Sequence, residues 1–232
     1  GLEPGDTVAR ATLSLYVAGH SSGAGYLPIS AFAVLRSWSE MEATWYDATA
    51  SDLWSLAGCN SPANDRASSP VASAIITTTG VWIDLDITGL AQAWTTNPES
   101  NHGLILKAGN TIEPHPARFT DEYLLRSAND NDEPSLRPRL TVAYTPSGAG
   151  SPTPTPTTVY GSPTAVSFQY LVSPAQYTGV FDTFISDYGD PDSNYGAEGA
   201  MRLRSNDHRA SLIRFDLTSI PSSAYVYSST LY

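Results

Sequence analysis

The segment Ser151–Thr158, with the sequence SPTPTPTT, places the strongest constraint on how this chain can fold. Proline alternates with Ser or Thr up to Pro156, and a residue that precedes proline is driven out of the helical region into an extended or polyproline II conformation. The segment also lacks any apolar side chain, so burial cannot offset the entropy of ordering it. It therefore predicts a semi-rigid, solvated spacer that separates two parts of the chain.

The spacer has a second interpretation, as a glycosylated stalk. Tracts rich in Ser, Thr and Pro carry O-linked sugars in many secreted proteins. The candidate acceptors are Ser151, Thr153, Thr155, Thr157 and Thr158. An unmodified interdomain linker fits the same residues, and the sequence leaves both interpretations open.

The composition favours an extracellular all-β protein. Only 15% of the residues are charged, the net charge is −11, and the hydrophobic content of 41% is sufficient for a sizeable core. The negative charge argues against nucleic acid and against anionic membranes, because both partners require a basic surface. Membrane insertion is not expected, since no apolar run is long enough to cross a bilayer. The single cysteine, Cys59, excludes an intrachain disulfide.

Short segments with alternating apolar and polar residues recur along the chain, and turn-forming residues separate them. Thr7–Ala18 and Val81–Asp86 are examples. Ile87–Thr96 has the i, i+3, i+4, i+7 spacing of one short amphipathic helix. The pattern predicts an antiparallel, jelly-roll-like β-sandwich with that single helix. The other predicted strands are Ile29–Leu35, Val71–Thr77, His102–Lys107, Ala117–Asp121, Pro138–Tyr144, Val166–Tyr170, Val180–Ser186, Ala200–Arg204, Arg209–Leu217 and Ala224–Tyr232.

The last stretch of the chain repeats the first. Ile220–Tyr232, IPSSAYVYSSTLY, aligns with the stretch from Leu2 to Tyr16, LEPGDTVARATLSLY. Internal repeats of this kind indicate tandem modules. We therefore interpret residues 1–145 as the later part of one β-sandwich, residues 146–165 as the linker, and residues 166–232 as the opening strands of a second copy.

A series of short motifs follows this permuted order. They are Trp38, Glu40, Thr44 and Trp45; Asp86–Trp94; Gly103–Lys107; Arg137–Tyr144; Asp182-Thr183; Asn194-Tyr195-Gly196; Leu203-Arg204; and Arg214–Pro221. Together they make the chain resemble the DNRLRE domain family, a repeat found in tandem in large secreted and surface proteins of bacteria. The family is also described as a carbohydrate-binding module in some polysaccharide lyases. The resemblance covers nearly the whole chain except the spacer, and it implies core positions for Trp38 and Trp45 and a structural contact between Glu40 and Arg214.

The permuted order raises the question of which residues complete the first module. Residues 1–144 alone would expose sheet edges and core. One hypothesis places the missing strands before Gly1, in a longer tandem array. The other lets Val180–Leu217 of one chain complete the next chain by strand donation, which gives a head-to-tail filament. The duplicated strand favours the array, because under donation Ala224–Tyr232 and Thr7–Leu15 would compete for one position.

The best candidate for a metal site is the acidic turn, Ser186–Glu198, with the sequence SDYGDPDSNYGAE. Oxygen ligands recur along it, as Ca²⁺ requires. The predicted calcium ligands are Asp187, Asp190, Asp192 and Asn194. The alternative is a turn in which Asp and Asn side chains bind their own backbone.

Exposed aromatic rings would support a sugar-binding function. The candidates for sugar stacking are Trp54, Tyr26, Tyr188 and Tyr195. The sequence contains no recognisable catalytic constellation, so we do not predict an enzyme. Two functions remain: a secreted or cell-surface structural repeat whose partners are neighbouring copies of the same module, and a carbohydrate-binding module attached to a polysaccharide-degrading enzyme.

Overall fold

Antiparallel strands make up 48% of the structure and helical residues 10%, in a sandwich-like arrangement of one large and one small sheet. The computed structural model describes residues 7–21, 25–109, 121–145, 164–171 and 177–217. The predicted class, an antiparallel β-sandwich with one short helix, is confirmed. Within the described ranges, no helix is both long and apolar enough to cross a membrane.

The spacer divides the strands into two groups. The strands before it are β1 (Thr7–His20), β2 (Leu27–Ala33), β3 (Asp47–Thr49), β4 (Asp52–Leu53), β5 (Ala72–Ile76), β6 (Val81–Asp86), β7 (Leu104–Ala108), β8 (Glu122–Arg126) and β9 (Arg139–Thr145). The strands after it are β10 (Thr164–Gln169), β11 (Val180–Ser186), β12 (Ala200–Arg204) and β13 (Arg209–Phe215). The helix α1 spans Thr88–Thr96, and short 3-10 turns occupy Pro98–Ser100, Pro134–Leu136 and Ser205–Asp207.

Most of the predicted strands differ from the observed ones by only a few residues at each end. Strand β8 is not among the predicted strands, because its sequence EYLLR carries charged residues at both ends and lacks a clear alternation of apolar and polar residues. The strand predicted at Ala117–Asp121 lies almost entirely outside the described residues. The spacer with its candidate glycosylation sites, and the strand predicted at Ala224–Tyr232, lie outside them as well.

The strand order of the large sheet mixes residues from the two sides of the spacer. It runs β10-β9-β1-β8-β12-β13-β7-β2-β5, with β6 also paired to β1 and β11 also paired to β13. Strands β12 and β13 therefore lie between β8 and β7, which both precede the spacer. The residues on the two sides of the spacer build one sheet rather than two separate ones.

The hydrophobic core is shared in the same way. The larger cluster contains Leu106 and Leu125 from before the spacer together with Met201 and Ile213 from after it. A second cluster contains Trp38, Trp54 and Val34 with Ile185 and Leu212. Full burial of a side chain of this size stabilises the folded state by about 1.5–3 kcal/mol. Neither cluster is complete without strands from both sides of the spacer.

Gly103 shows how closely the two groups of strands approach. Its φ of +78° lies in the left-handed region, and a Cβ atom at this position would lie 2.3 Å from the carbonyl oxygen of Ile213 on β13. Glycine alone satisfies both requirements, because it has no Cβ and adopts positive φ without strain. The glycine that opens the motif Gly103–Lys107 thus brings β7 into contact with β13.

Candidate functional site

A row of charged residues crosses the sheet at the junction of β8, β12 and β13. The register places Glu122 opposite Arg204 and Arg204 opposite Arg209. Two arginines directly opposite each other would repel, but the Glu122 carboxylate binds both. Its Oε2 accepts hydrogen bonds from Arg204, at 3.1 Å, and from Arg209, while Oε1 accepts one from Arg202 at 2.9 Å.

We call these four residues, Glu122, Arg202, Arg204 and Arg209, the arginine cluster. The Glu122 side chain is only 7% exposed, and those of Arg204 and Arg209 are 9% and 16% exposed. Three guanidinium groups therefore surround one buried carboxylate, in a chain whose net charge is −11. Alternation along β12 explains the placement, since Met201 and Leu203 are buried on the opposite face.

Tyr188 extends the arginine cluster to the surface. Its ring lies 3.8 Å from the guanidinium carbon of Arg204 and 5.5 Å from that of Arg209. The residue is 52% exposed. Tyr188, one of the predicted sugar-stacking residues, thus presents an accessible ring beside a group of cations, which is the arrangement of a cation–π pair at a surface.

The other predicted stacking residues differ in exposure. Tyr26 is 45% exposed. Tyr195 packs its ring against Phe184 at 4.1 Å, so one of its faces is covered. The interpretation of Trp54 as a stacking platform is wrong: it is 4% exposed, and its indole N–H donates to the Thr44 carbonyl at 3.1 Å. Burial in the second hydrophobic cluster removes its ring from solvent.

The acidic turn does not bring its four predicted calcium ligands together. Asp187 pairs with Nδ1 of His208 at 2.8 Å. The Asp190 carboxylate accepts from the backbone N–H of Asp192 and from the hydroxyl of Ser193. The Asn194 amide donates to the carbonyl oxygens of Glu40 and Ala43, at 2.8 and 2.9 Å.

Asp190 therefore fits the alternative interpretation, a turn in which the side chain binds nearby backbone and hydroxyl groups instead of a metal ion. Asn194 instead fastens the turn to the segment around Glu40, which precedes the spacer. In the parts of the chain that the structure describes, no group of three or more His, Cys, Asp or Glu side chains could hold a metal ion.

A second polar contact between the two sides of the spacer centres on Asp182 of β11, which is 1% exposed. Its carboxylate accepts hydrogen bonds from the Ser127 hydroxyl and the Ala128 backbone N–H, both at 2.6 Å. Burial raises the pKa of Asp182 to about 7, although these hydrogen bonds act to lower it. The backbone N–H of Asp182 donates to Glu40 at 3.1 Å.

Glu40 and Arg214, for which the sequence predicts a paired structural contact, interact through their charges. Burial raises the pKa of Glu40, while hydrogen bonds from Asp182 and Asn129 and the charge of Arg214 lower it. The Arg214 guanidinium packs over the rings of Phe181 and Trp38, at 4.7 and 5.8 Å. Their part in the structure is to hold β11 against the segment that begins at Trp38.

A third polar contact joins Lys107 of β7 to Asp207, which lies between β12 and β13. The Lys107 ammonium group, 8% exposed, lies 2.7 Å from the Asp207 carboxylate and also donates to the Gly58 carbonyl. Burial raises the pKa of Asp207, and the charge of Lys107 lowers it. Cys59, adjacent to Gly58, is fully buried, and burial raises the pKa of its thiol to about 12. The thiol therefore stays protonated at neutral pH.

The arginine cluster has no direct signal in the sequence, because its members are far apart along the chain. Glu122 lies 80, 82 and 87 residues from the three arginines. The one available signal was the pattern of Arg202 and Arg204 on alternate positions of a predicted strand. Comparisons with protein-family models, curated proteins and solved structures found no match, so the resemblance to the DNRLRE domain remains a prediction.

Proposed function

We propose that this chain is a structural repeat module of a secreted or cell-surface bacterial protein, in which modules are joined head to tail into a stalk, a fibre or an adhesive layer. The observation that supports this most is the position of β12 and β13 between β8 and β7. A sheet that takes its central strands from the far side of a Ser/Thr/Pro spacer links successive parts of the chain through backbone hydrogen bonds. Such a joint is suited to bearing load along a string of modules.

The proposal predicts ordered end-to-end association of the full chain. We expect sedimentation velocity to show a mass that increases with concentration, and negative-stain electron microscopy to show rows of globules at a regular spacing. A head-to-tail contact joins two different surfaces of the module, and it produces open rows when the rotation between neighbours does not close a ring. Discrete monomers at every concentration, with no rows on the grid, would contradict the structural role.

A carbohydrate-binding function is the second candidate, and Tyr188 is the observation that favours it. Its exposed ring lies against Arg204, at the edge of the arginine cluster. Guanidinium groups bind carboxylates through paired hydrogen bonds, and an aromatic ring supports the apolar face of a sugar. The local positive charge would overcome the net negative charge of the chain, so an acidic polysaccharide is the class of ligand that fits.

This second candidate predicts that Tyr188→Ala weakens binding to immobilised acidic polysaccharide by about tenfold, the loss expected when an aromatic contact of about 1–1.5 kcal/mol is removed. Tyr26→Ala is the matched control, because Tyr26 is similarly exposed but is not among the rings that pack against the arginine cluster. The measurement is surface plasmon resonance of both variants and the unmodified chain. Equal affinities for the two variants would exclude Tyr188 as the binding platform.

A further inference from the structure

We propose that residues 164–217 are an exchangeable segment, which completes the sheet of a second copy of this chain with the same contacts that it makes to its own. This inference rests on the proposed structural role and specifies how neighbouring copies are joined. The partner is a second copy of the chain, and the surface is the gap between β8 and β7.

The first argument is that the sheet built before the spacer has a gap without this segment. Strand β12 pairs with β8 along all five of its residues, Ala200–Arg204. Strand β13 pairs with β7 at Ser211–Ile213. Removing both would leave two unpaired strand edges, and such edges bind any strand of matching pattern.

The second argument is that buried polar contacts select this segment. Each of the three contacts described above joins one residue from before the spacer to one or more after it: Glu122 to the arginines, Ser127 to Asp182, and Lys107 to Asp207. A foreign strand would leave these buried groups unpaired, at a substantial energetic cost. The gap therefore fits residues 164–217 of this chain far better than an unrelated strand, and it fits those of a second copy equally well.

The third argument is the length of the connection between β9 and β10. These strands are antiparallel neighbours, with Thr164 opposite Tyr144, and a two-residue loop suffices for such a pair. The chain instead has 18 residues, 146–163, between them. At ~3.1 Å per residue, an extended proline-rich connection of this length reaches ~55 Å. A module of this size is only ~40 Å across, so the connection is long enough to reach a neighbouring copy.

The contacts are identical within one chain and between two chains, so effective concentration decides between them. A dilute chain keeps its own segment. Crowding along a stalk or in a surface layer raises the concentration of competing segments and favours exchange.

Disulfide trapping in full-length chains tests the exchange. Thr141 on β9 and Ser167 on β10 have hydroxyl oxygens 3.1 Å apart. One chain carries Thr141→Cys and a second, differently tagged chain carries Ser167→Cys; they are refolded together over a range of concentrations and then oxidised. The native Cys59 is buried and is present in both. We expect a disulfide-linked heterodimer whose fraction increases with concentration.

A matched control uses two hydroxyls that lie on the same side of the spacer. Ser30 and Ser73 have oxygens 3.2 Å apart on β2 and β5. Chains carrying Ser30→Cys and Ser73→Cys separately should give no heterodimer, because these strands do not belong to the exchanged segment. Equal yields from the two pairs of variants would indicate random aggregation and would overturn the proposal.

Strand β12 is tested with Leu124→Cys and Arg202→Cys, which face each other across β8 and β12. Heterodimers with both this pair and the β9–β10 pair support exchange of the whole segment. If cysteine pairs introduced in one chain form disulfides and the separated pairs never do, exchange is excluded. Rows of modules without heterodimers would overturn the exchange alone, whereas heterodimers without rows would support the exchange and contradict the structural role.

Discussion

Replacing Glu122 with glutamine is expected to lower the free energy of unfolding by about 3–5 kcal/mol, the usual result of removing one partner from a buried ion pair. The variant leaves Arg204 and Arg209, which are only 9% and 16% exposed, close together without the carboxylate that now binds them. For a chain of this size the melting temperature should fall by about 10 °C. Urea denaturation followed by circular dichroism gives the free energy directly.

Glu133→Gln is the matched control for this prediction. Glu133 makes the same kind of contact, 3.9 Å from Arg126, but its side chain is 52% exposed. A surface pair contributes little, so the change should stay within about 0.5 kcal/mol. The loss caused by Glu122→Gln should also persist at high salt, since buried pairs are weakly screened. Similar small changes in both variants would mean that the arginine cluster does not depend on its carboxylate.

The contrast between Glu122 and the strands around it shows which properties are local in the sequence. Alternation in Thr7–Ala18 and Val81–Asp86 reflects one buried face, so it predicts strands directly. The identity of the neighbouring strand depends on contacts between residues that are distant in the chain. The alternation pattern does not predict EYLLR as a strand, because the arginines that bind its charged residue Glu122 come from beyond the spacer.

The same distinction between local properties and distant contacts applies to the candidate site residues. Tyr188 could be proposed from its type and its place in a turn, and it is exposed. Trp54 has the same chemistry but lies in a segment with no clear period, where the sequence does not say which face is buried. Alternating oxygen ligands in the acidic turn suggested calcium, but the Asn194 amide is held by carbonyl groups about 150 residues away.

Asp182 is expected to make the stability of the chain decrease as the pH rises from about 4 to about 7. Burial raises the pKa of its carboxyl to about 7 in the folded state, from 3.8. Between these two pKa values the folded chain keeps a proton that the unfolded chain has lost. Each unit of rising pH therefore lowers the free energy of unfolding by about 1.4 kcal/mol. Between pH 5 and pH 7 the loss should reach about 2–3 kcal/mol, with little further change above pH 7.

Asp182→Asn removes the contribution of Asp182 to this pH dependence, because an amide does not titrate, whereas Glu40 and Asp207, whose pKa values burial also raises, keep theirs. The amide oxygen of the variant can accept from the Ala128 N–H while its NH₂ group faces the Ser127 hydroxyl, as the protonated carboxyl does, so its stability should change less between pH 5 and pH 7. Asp192→Asn, on the exposed surface of the acidic turn, should keep the slope of the unmodified chain.

The lowered pKa values of Asp65 and Asp130 act only below about pH 4, where their stabilising hydrogen bonds are lost. The measurement is the free energy of unfolding from urea denaturation, plotted against pH between pH 5 and pH 7. Parallel plots for the unmodified chain and Asp182→Asn would show that Asp182 is already ionised at pH 5 in the folded chain. A steeper curve for the unmodified chain would mean that rising pH weakens the attachment of β11, one of the strands of the exchangeable segment.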